Sequence, residues 1–287
     1  MYDKSDPRAQ LQAKSAATAT MVKPDYYDSS LGLFYATAPT MSQDGADTWL
    51  MRGRNFVVAQ SATEPGVTLG RSGQIDEYAV LTVDPAARLT LTAGDQAMTV
   101  SGPVLAFMPP GDSTVTVEAG SALTRVFSSQ SDDLTALCPN ADIYARDHAQ
   151  MPPFQPWPAP PGGFRIRSYS LDVPPTPGRF GKIFRCTTLM INVLDPMMGP
   201  RDITKMSPHH HDDFEQGSLA LSGSFAHHLR WPWTTDMNEW RDDLQLDCDA
   251  PSLAVIPPPA IHTSRGTGPG NNQLIDIFSP PRMDFSQ

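Results

Sequence analysis

The chain has 287 residues, 40% of them hydrophobic, with 21 basic and 31 acidic residues and a net charge of −10. This length suffices for one large domain or for two domains of about 140 residues each. The acidic balance disfavours nucleic acid and anionic membranes as partners, because both are negatively charged. No run approaches the roughly 20 apolar residues of a membrane span. The three cysteines are odd in number and far apart, which argues against a disulfide framework and a cysteine zinc site. We therefore predict a cytoplasmic protein.

Short apolar runs, separated by many of the 29 prolines and 20 glycines, follow one another along the chain. Residues 1–45 begin with small polar residues and are expected to form a frayed leader. The runs that follow are "NFVVAQ" (55–60), "EYAVLTV" (77–83), "ARLTLTA" (87–93), "PVLAFM" (103–108), "TVTVEA" (114–119), "TTLMINVL" (187–194), "GSLALSG" (217–223) and "SLAVIP" (252–257). Runs of this length with frequent turn signals predict an all-β sandwich or barrel. Only residues 235–246 suggest a turn or two of helix.

The proline-rich segment "MPPFQPWPAPPGG", residues 151–163, divides the chain into two similar halves. Its composition excludes a central strand and predicts an interdomain linker. Glu77 aligns with Glu215 at an offset of 138, and Thr114 aligns with His262 at an offset of 148. The ten additional residues correspond to positions 231–240. We predict one β-domain at 46–150 and a second copy at 164–287.

Five of the seven histidines lie in "SPHHHDDFEQGSLALSGSFAHHLRWPW", residues 207–233. The segment His209-His210-His211 followed by Glu215, together with Pro257 to His262, resembles the two motifs of the cupin superfamily. Pro259 stands where the second motif has glycine. This resemblance covers residues 50 to 285 and implies an all-β fold of two tandem cupin (jelly-roll β-barrel) domains.

The spacing of the histidines independently predicts a metal site. Residues two apart on a strand point to the same face, so His209 and His211 can converge while His210 points away. His262, at another strand end, completes a set of three imidazoles. The alternative is a solvated histidine-rich loop. Three imidazoles and one side-chain oxygen suit one divalent transition metal, with Fe(II) or Mn(II) favoured and Zn(II), Ni(II) or Cu(II) also accommodated.

The fourth ligand is either Glu215 or Gln216. Counting back from Gly223 places Gln216 at the position that the motif assigns to glutamate, and some cupins use glutamine. Glu215 is an even number of residues from Leu219 and Leu221, so all three are expected on the same, core-facing side of the strand. A carboxylate also binds a divalent ion more strongly than an amide does. We therefore favour Glu215 and keep Gln216 as the alternative.

The first half lacks these ligands, because the aligned positions are Arg71, Gly73 and Thr114, and only Glu77 keeps a ligand type. We predict a degenerate, structural N-terminal barrel without a metal.

Several residues after Gly223 are candidates for roles beside the metal. His228 and Arg230 alternate along one strand, so both are expected at the barrel mouth, where Arg230 can hold a substrate oxygen. The alternative for Arg230 is a structural ion pair. The tryptophans of the additional segment either form a lid or simply pack: Trp231, Trp233 and Trp240. Ser264 and Arg265 follow His262 and are further candidates for lining the mouth.

The resemblance implies a metal-dependent enzyme that acts on a small carbonyl- or hydroxyl-bearing metabolite. We favour a dioxygenase-type oxidoreductase. The alternatives are a non-oxidative isomerase, lyase or hydrolase, and a non-catalytic small-molecule-binding cupin. We expect a small-molecule substrate, no nucleic acid or membrane partner, and assembly as a homodimer.

Overall fold

The computed structural model describes residues 26–148, 150–151, 153–176 and 181–282. The fold is all-β, as predicted. The strands of the first half are β1 Ser30–Leu33, β2 Met41–Gln43, β3 Ala46–Arg52, β4 Phe56–Thr63, β5 Thr68–Gln74, β6 Tyr78–Thr82, β7 Arg88–Ala93, β8 Gln96–Ser101, β9 Val104–Met108, β10 Gly111–Ala119 and β11 Ala122–Ser128. A short helix α1, Asp132–Thr135, and a 3-10 turn, Ala141–Tyr144, follow them.

The second half continues with ten further strands. They are β12 Arg167–Ser170, β13 Lys182–Arg185, β14 Met190–Val193, β15 Met197–Met198, β16 Gln216–Ser222, β17 Ser224–Arg230, β18 Leu244–Asp249, β19 Ser252–Ile256, β20 Ile261–Gly266 and β21 Asn271–Phe278. Each predicted apolar run overlaps a strand. Helix in 235–246 is limited to a 3-10 turn at Met237–Glu239, and strand β18 begins at Leu244. In the described part of the chain, no helix has the length and apolar character needed to cross a membrane.

Four sheets form two sandwiches. In the first, a seven-stranded sheet β12-β9-β6-β11-β4-β3-β2 is covered by the four-stranded sheet β5-β10-β7-β8. In the second, a sheet of order β1-β19-β16-β21-β14-β13, with β15 beside β21, is covered by the three-stranded sheet β18-β17-β20. The two large sheets also pack against each other through one apolar cluster that includes Val58, Leu81, Leu219, Val255 and Ile277.

The burial patterns follow from this layering. The outer strand β10 alternates, with Val115 and Val117 buried and Thr116 partly exposed, as a strand with one face on a core must do. The central strand β6 is buried at every position. Its residue Val80 faces the first barrel core, and Leu81 faces the opposite sheet. Burying each such side chain stabilises the fold by about 1.5–3 kcal/mol, so the contact between the large sheets is a second core.

Strands are exchanged between the halves in both directions. Strand β1, from the region predicted as a leader, pairs with β19 in the second sandwich, and β2 pairs with β3. The remainder of that predicted leader, residues 1–25, lies outside the described residues. Strand β12, which follows the proline-rich segment, pairs with β9 in the first sandwich. Because strands cross between the halves, the pairing of strands does not by itself define a boundary at residues 151–163, and the division into two domains there stays a prediction.

Glu77 connects the two halves from a fully buried position. Its Oε1 accepts a hydrogen bond from Arg167 Nη2 at 2.7 Å. Its Oε2 accepts from the backbone N–H and the hydroxyl of Thr187 at 2.8 and 2.9 Å. A buried carboxylate needs such partners, because an uncompensated charge in the interior is strongly destabilising. Glu77 is therefore part of the contact between the barrels.

We predict that Glu77→Ala lowers the free energy of unfolding by about 3 kcal/mol, because the Arg167 charge and the Thr187 donors lose their acceptor. Urea unfolding followed by circular dichroism measures the effect. Glu118→Ala, at an exposed position of β10, is the control and should stay within about 0.5 kcal/mol of the parent chain. A loss below about 1 kcal/mol for Glu77→Ala would contradict this role.

Candidate metal centre

Three imidazoles meet at one end of the second barrel. His209 and His262 form an isolated antiparallel bridge, with backbone hydrogen bonds of 3.0 and 2.8 Å in the two directions. Ring nitrogens of His209, His211 and His262 all lie within 4.8 Å of one another. His210 points away and is exposed, with its Nε2 3.4 Å from Asp212. The alternation predicted for the histidine run thus gathers the three expected side chains.

Backbone carbonyls set the orientation of two of these rings. Nδ1 of His209 lies 2.9 Å from the Ser207 carbonyl oxygen, and Nδ1 of His262 lies 2.9 Å from the Ala260 carbonyl oxygen. A carbonyl oxygen only accepts, so each Nδ1 carries the proton and each Nε2 has a free lone pair. Burial lowers the pKa of His262 to about 3, which keeps this ring neutral at physiological pH.

The third ring, His211, lies between two different partners. Arg282 Nη1 is 2.7 Å from its Nδ1 and 3.4 Å from its Nε2. The Arg282 guanidinium also lies over the rings of Phe214 and Phe278. On the other side, His211 Nε2 is 3.0 Å from Gln216 Oε1. His211 is therefore held from both directions.

Gln216 supplies an oxygen to the imidazoles. Its Nε2 donates to Ser218 Oγ and to Asp276 Oδ1, each at 3.0 Å. These acceptors fix the amide so that Oε1 faces the imidazoles, 3.3 Å from His262 Nε2. Asp276 is buried, and burial raises the pKa of its carboxyl to about 7, against the opposing effect of its hydrogen bonds to Ser218 and Gln216.

These donors fit a divalent metal ion. Gln216 Oε1 and His262 Nε2 are both acceptors, yet they face each other at 3.3 Å. Two lone pairs at this separation repel unless a cation lies between or beside them. The set of three imidazoles and one amide oxygen contains the N and O ligands that Mn(II), Fe(II) and Zn(II) accept. His209, His211, His262 and Gln216 are thus the residues that would hold the ion.

The structure places the Glu215 carboxyl among residues of the first half. Glu215 Oε2 accepts a hydrogen bond from the Arg54 backbone N–H at 2.5 Å, and Tyr144 also hydrogen-bonds to it. Burial raises the pKa of this carboxyl to about 7, against these opposing contacts. Glu215 has the parity of Leu219, as assumed, but Leu219 faces the opposite large sheet and not the barrel interior. Gln216 therefore stands beside the imidazoles, while Glu215, like its counterpart Glu77, contacts the other half.

A cavity of about 260 Å³ lies next to the imidazoles. Six of the residues that line it are His209, Gln216, Phe225, His262, Ser264 and Asp276. Its walls combine apolar side chains with a few polar groups, as small-molecule sites commonly do. The ligand atoms therefore face a chamber large enough for a small metabolite.

The structure places His228 and Arg230 on the outer side of β17. Phe225, His227 and Leu229 are buried, whereas His228 is partly exposed and Arg230 is exposed, so the latter two lie on the opposite face of the strand. Arg230 is exposed and pairs with Asp243 on the outer surface. The ion pair that was the alternative for Arg230 is thus present. Neither residue lines the cavity of about 260 Å³, but both line a separate surface groove that also touches His262.

His227 is the inward-facing residue that the sequence interpretation missed. It is fully buried, and its Nδ1 lies 2.8 Å from Ser264 Oγ. Burial lowers the pKa of His227 to about 4, with a further contribution from the nearby imidazoles. The sequence did indicate this position, because His227 is two residues from both Phe225 and Leu229. Those apolar residues are expected on the inner face of the strand, and His227 shares that face.

The additional segment at 231–240 does not cover the cavity. Trp231 is buried in an apolar cluster with Tyr26 and Leu229. Trp233 and Trp240 stack on each other with ring centroids 4.8 Å apart, and both are exposed. None of the three tryptophans lines the cavity. Their positions agree with the alternative that they simply pack, and not with a lid.

The two residues after His262 differ in placement. Both were candidates for lining the barrel mouth. Ser264 lines the cavity, whereas Arg265 does not.

The first barrel has no comparable cluster in the described part of the chain. Arg71 pairs with Asp133 and hydrogen-bonds to Gln74. Thr114 faces outward, where its hydroxyl contacts Thr92.

The inward-facing residue next to Thr114 is Ser113, which is buried. Ser113 Oγ lies 2.9 Å from the Tyr78 hydroxyl. At the offset of 138, Tyr78 corresponds to Gln216. A Tyr–Ser contact therefore occupies the place of the Gln–His contact in the second barrel.

We predict that Gln216→Ala lowers metal affinity at least about tenfold, because the oxygen ligand and the link to Asp276 are both lost. Glu215→Ala should leave metal content per folded chain unchanged and lower stability by about 2 kcal/mol, since its hydrogen bonds join the two halves. Equilibrium dialysis with elemental analysis, paired with urea unfolding, measures both quantities. Loss of metal in Glu215→Ala but not in Gln216→Ala would reverse the assignment.

We also predict that Arg230→Ala and Trp233→Ala retain the metal content and the ligand binding of the parent chain, because both side chains lie outside the cavity. His262→Ala is the positive control and should lose the metal. Reduced metal binding in Arg230→Ala would show that the outer surface contributes to the site.

No protein-family model matches the chain, and neither does any curated protein sequence. Solved structures do match it. An oxalate decarboxylase variant from Bacillus subtilis aligns with a TM-score of 0.58 and 14% identity, over 97% of this chain and 84% of that chain. The formate complex of Lactobacillus farciminis oxalate decarboxylase gives 0.56 and 13%, over 88% and 86%. AerE from Microcystis aeruginosa gives 0.56 and 8%, over 83% and 94%. The chain therefore has the cupin fold in the two-barrel form, as its histidine motifs indicated.

Proposed function

We propose that the chain is a metal-dependent enzyme that acts on a small carbonyl- or hydroxyl-bearing metabolite in the second barrel. The observation that supports this most strongly is the convergence of three imidazoles and the Gln216 amide oxygen beside a cavity of about 260 Å³. A bound divalent ion would polarise an oxygen of the substrate and stabilise negative charge that develops on it. The first barrel, which has Tyr78 and Ser113 at the equivalent position, has a structural role.

For the ion we favour Mn(II) or Fe(II), as the resemblance of the histidine motifs implied. All four donors are neutral, so a bound ion keeps its full charge and remains a strong electrophile. Imidazole also suits Zn(II), Ni(II) and Cu(II), and these ions are the alternatives.

For the reaction class we favour oxidative cleavage of a dioxygenase type. An ion held by His209, His211, His262 and Gln216 would supply Lewis-acid and redox chemistry to a substrate oxygen and to O₂. The apolar walls of the cavity, which include Phe225 and Leu274, restrict water around the reacting groups.

A non-oxidative lyase, isomerase or hydrolase reaction is the second candidate. Asp276 lines the cavity and is hydrogen-bonded to Gln216, so its carboxyl is placed to give or take a proton near the substrate. Two of the three solved structures described above are named as oxalate decarboxylases. A non-catalytic binding protein of the same fold would use the same cavity without turnover. We also propose, from the sequence, that the chain is cytoplasmic and forms a homodimer.

We predict about one divalent ion per full-length chain, bound through the three imidazoles identified above. The full chain must be used, because β1 and β12 are exchanged between the halves and separate halves would each lack a strand. Protein purified without a histidine tag is analysed for metals, with His262→Ala as the control. Equal metal content in both proteins would refute the site.

Oxygen consumption separates the reaction classes. The metal-loaded chain is presented with a panel of small hydroxy acids, keto acids and diones in an oxygen electrode, and parallel anaerobic reactions are followed by NMR. Oxygen uptake that His262→Ala abolishes supports the dioxygenase-type reaction. Product formed without oxygen supports the second candidate.

A further inference from the structure

On the inner face of the three-stranded sheet, a serine that lines the cavity is hydrogen-bonded to a buried histidine. His227 on β17 and Ser264 on β20 are directly opposite each other in the antiparallel ladder. Phe225, two residues before His227, and Ser264 both line the cavity, and residues two apart on a strand share a face. Ser264 is also two residues beyond His262, on the same face of β20. Its hydroxyl therefore shares the chamber with the imidazole ligands.

His227 has a defined hydrogen-bonding state. The ring is fully buried, and burial disfavours its charged form, so it is neutral and carries one N–H. Nδ1 lies 2.8 Å from Ser264 Oγ. Nε2 is buried without a hydrogen-bond partner among the described residues.

The unpartnered Nε2 decides where the proton lies. A buried N–H without an acceptor is rarer and more costly than a buried lone pair without a donor. The proton therefore lies on Nδ1, and His227 donates to Ser264 Oγ. This donation occupies a lone pair of the hydroxyl and leaves the O–H of Ser264 available as a donor. No acceptor for this O–H is found in the described part of the chain apart from the contact with His227.

We propose that Ser264, oriented by His227, donates a hydrogen bond from its hydroxyl to an oxygen atom of the substrate in the cavity. This inference rests on the proposed function and narrows the substrate class. The ligand carries a carbonyl, carboxylate or enolate oxygen that accepts this bond while a second oxygen reaches the metal. Ser264 is then a specificity-determining residue, and His227 is a positioning residue that acts through it.

The backbone around Ser264 is held in place independently of His227. Arg201 Nη1 donates to the Ser264 carbonyl oxygen at 2.9 Å, and Arg201 Nη2 donates to Ser207 Oγ at 3.1 Å. Ser207 in turn lies two residues before His209. Removing the Ser264 hydroxyl therefore leaves the strand and the His209 segment fixed, so a substitution at Ser264 tests the hydroxyl and not the fold.

The test uses the full chain loaded with Co(II), whose absorption reports on its ligands, and acetohydroxamate as a bidentate oxygen probe. Ser264→Ala should keep the Co(II) affinity of the parent chain and bind the probe about tenfold more weakly, as expected for one lost hydrogen bond to a charged oxygen. Ser224→Ala is the matched control, since its hydroxyl contacts Asp249 on the exposed side. Probe binding there should not change.

Two substitutions of His227 test the positioning role. Asparagine places an amide nitrogen near the site of Nδ1, so His227→Asn should retain probe affinity. His227→Leu removes the donor and should match Ser264→Ala.

Three outcomes overturn the inference. Unchanged probe affinity in Ser264→Ala shows that the hydroxyl does not contact the ligand, while the proposed function stands. Loss of Co(II) in Ser264→Ala shows that the serine supports the His262 strand instead. Absence of Co(II) binding in the parent chain refutes the proposed function itself, and the inference with it.

Discussion

The contact between the two large sheets is the constraint on which the rest of the structure depends. Each large sheet has one face in its own barrel and the other face against its neighbour, so its central strands are buried on both faces. A strand such as β16 therefore packs against the other large sheet with one face and points into its own barrel with the other. Leu219 joins the apolar contact between the sheets, and Gln216 and Ser218 face the barrel interior, where polar groups form a network. The site is polar because the contact between the sheets already supplies apolar burial.

Two carboxylates at equivalent positions of the repeat reinforce this contact. Glu77 precedes β6 and accepts a hydrogen bond from the backbone N–H of Thr187 in the second half. Glu215 precedes β16 and accepts a hydrogen bond from the backbone N–H of Arg54 in the first half. The alignment that relates the halves at an offset of 138 thus marks a structural pair and not a pair of metal ligands. Strand exchange by β1 and β12 adds backbone hydrogen bonds to the same association. The two barrels are therefore joined by apolar packing, exchanged strands and buried carboxylates.

The sequence predicted the elements well and their inward faces less well. Apolar runs between turn residues located the strands, because strand length and breaker residues are local properties. The histidine run located the imidazoles, since residues two apart share a face. The choice between Glu215 and Gln216 could not be made from the sequence, because both faces of β16 are buried and apolar neighbours then do not identify the side that faces the barrel. The outward position of Arg230 was also not predicted. Arg230 and His228 do lie on the same face of β17, but the apolar residues Phe225 and Leu229 show that the inner face is the opposite one.

The requirement for an amide at position 216 follows from Asp276. This buried carboxyl accepts hydrogen bonds from the Gln216 amide at 3.0 Å and from the Ser218 hydroxyl at 3.2 Å. A glutamate at 216 would bring two carboxylates to this distance in a buried site, and only one of them would then ionise. Glutamine avoids that repulsion and donates to Asp276 with its nitrogen while its oxygen faces His211 and His262. The first barrel has no such demand, because Tyr78 there contacts the neutral Ser113. The difference between the barrels is therefore one of donors and charge on a shared framework, and in the second barrel the Nε2 lone pairs of His209 and His262 lie beside the amide oxygen of Gln216.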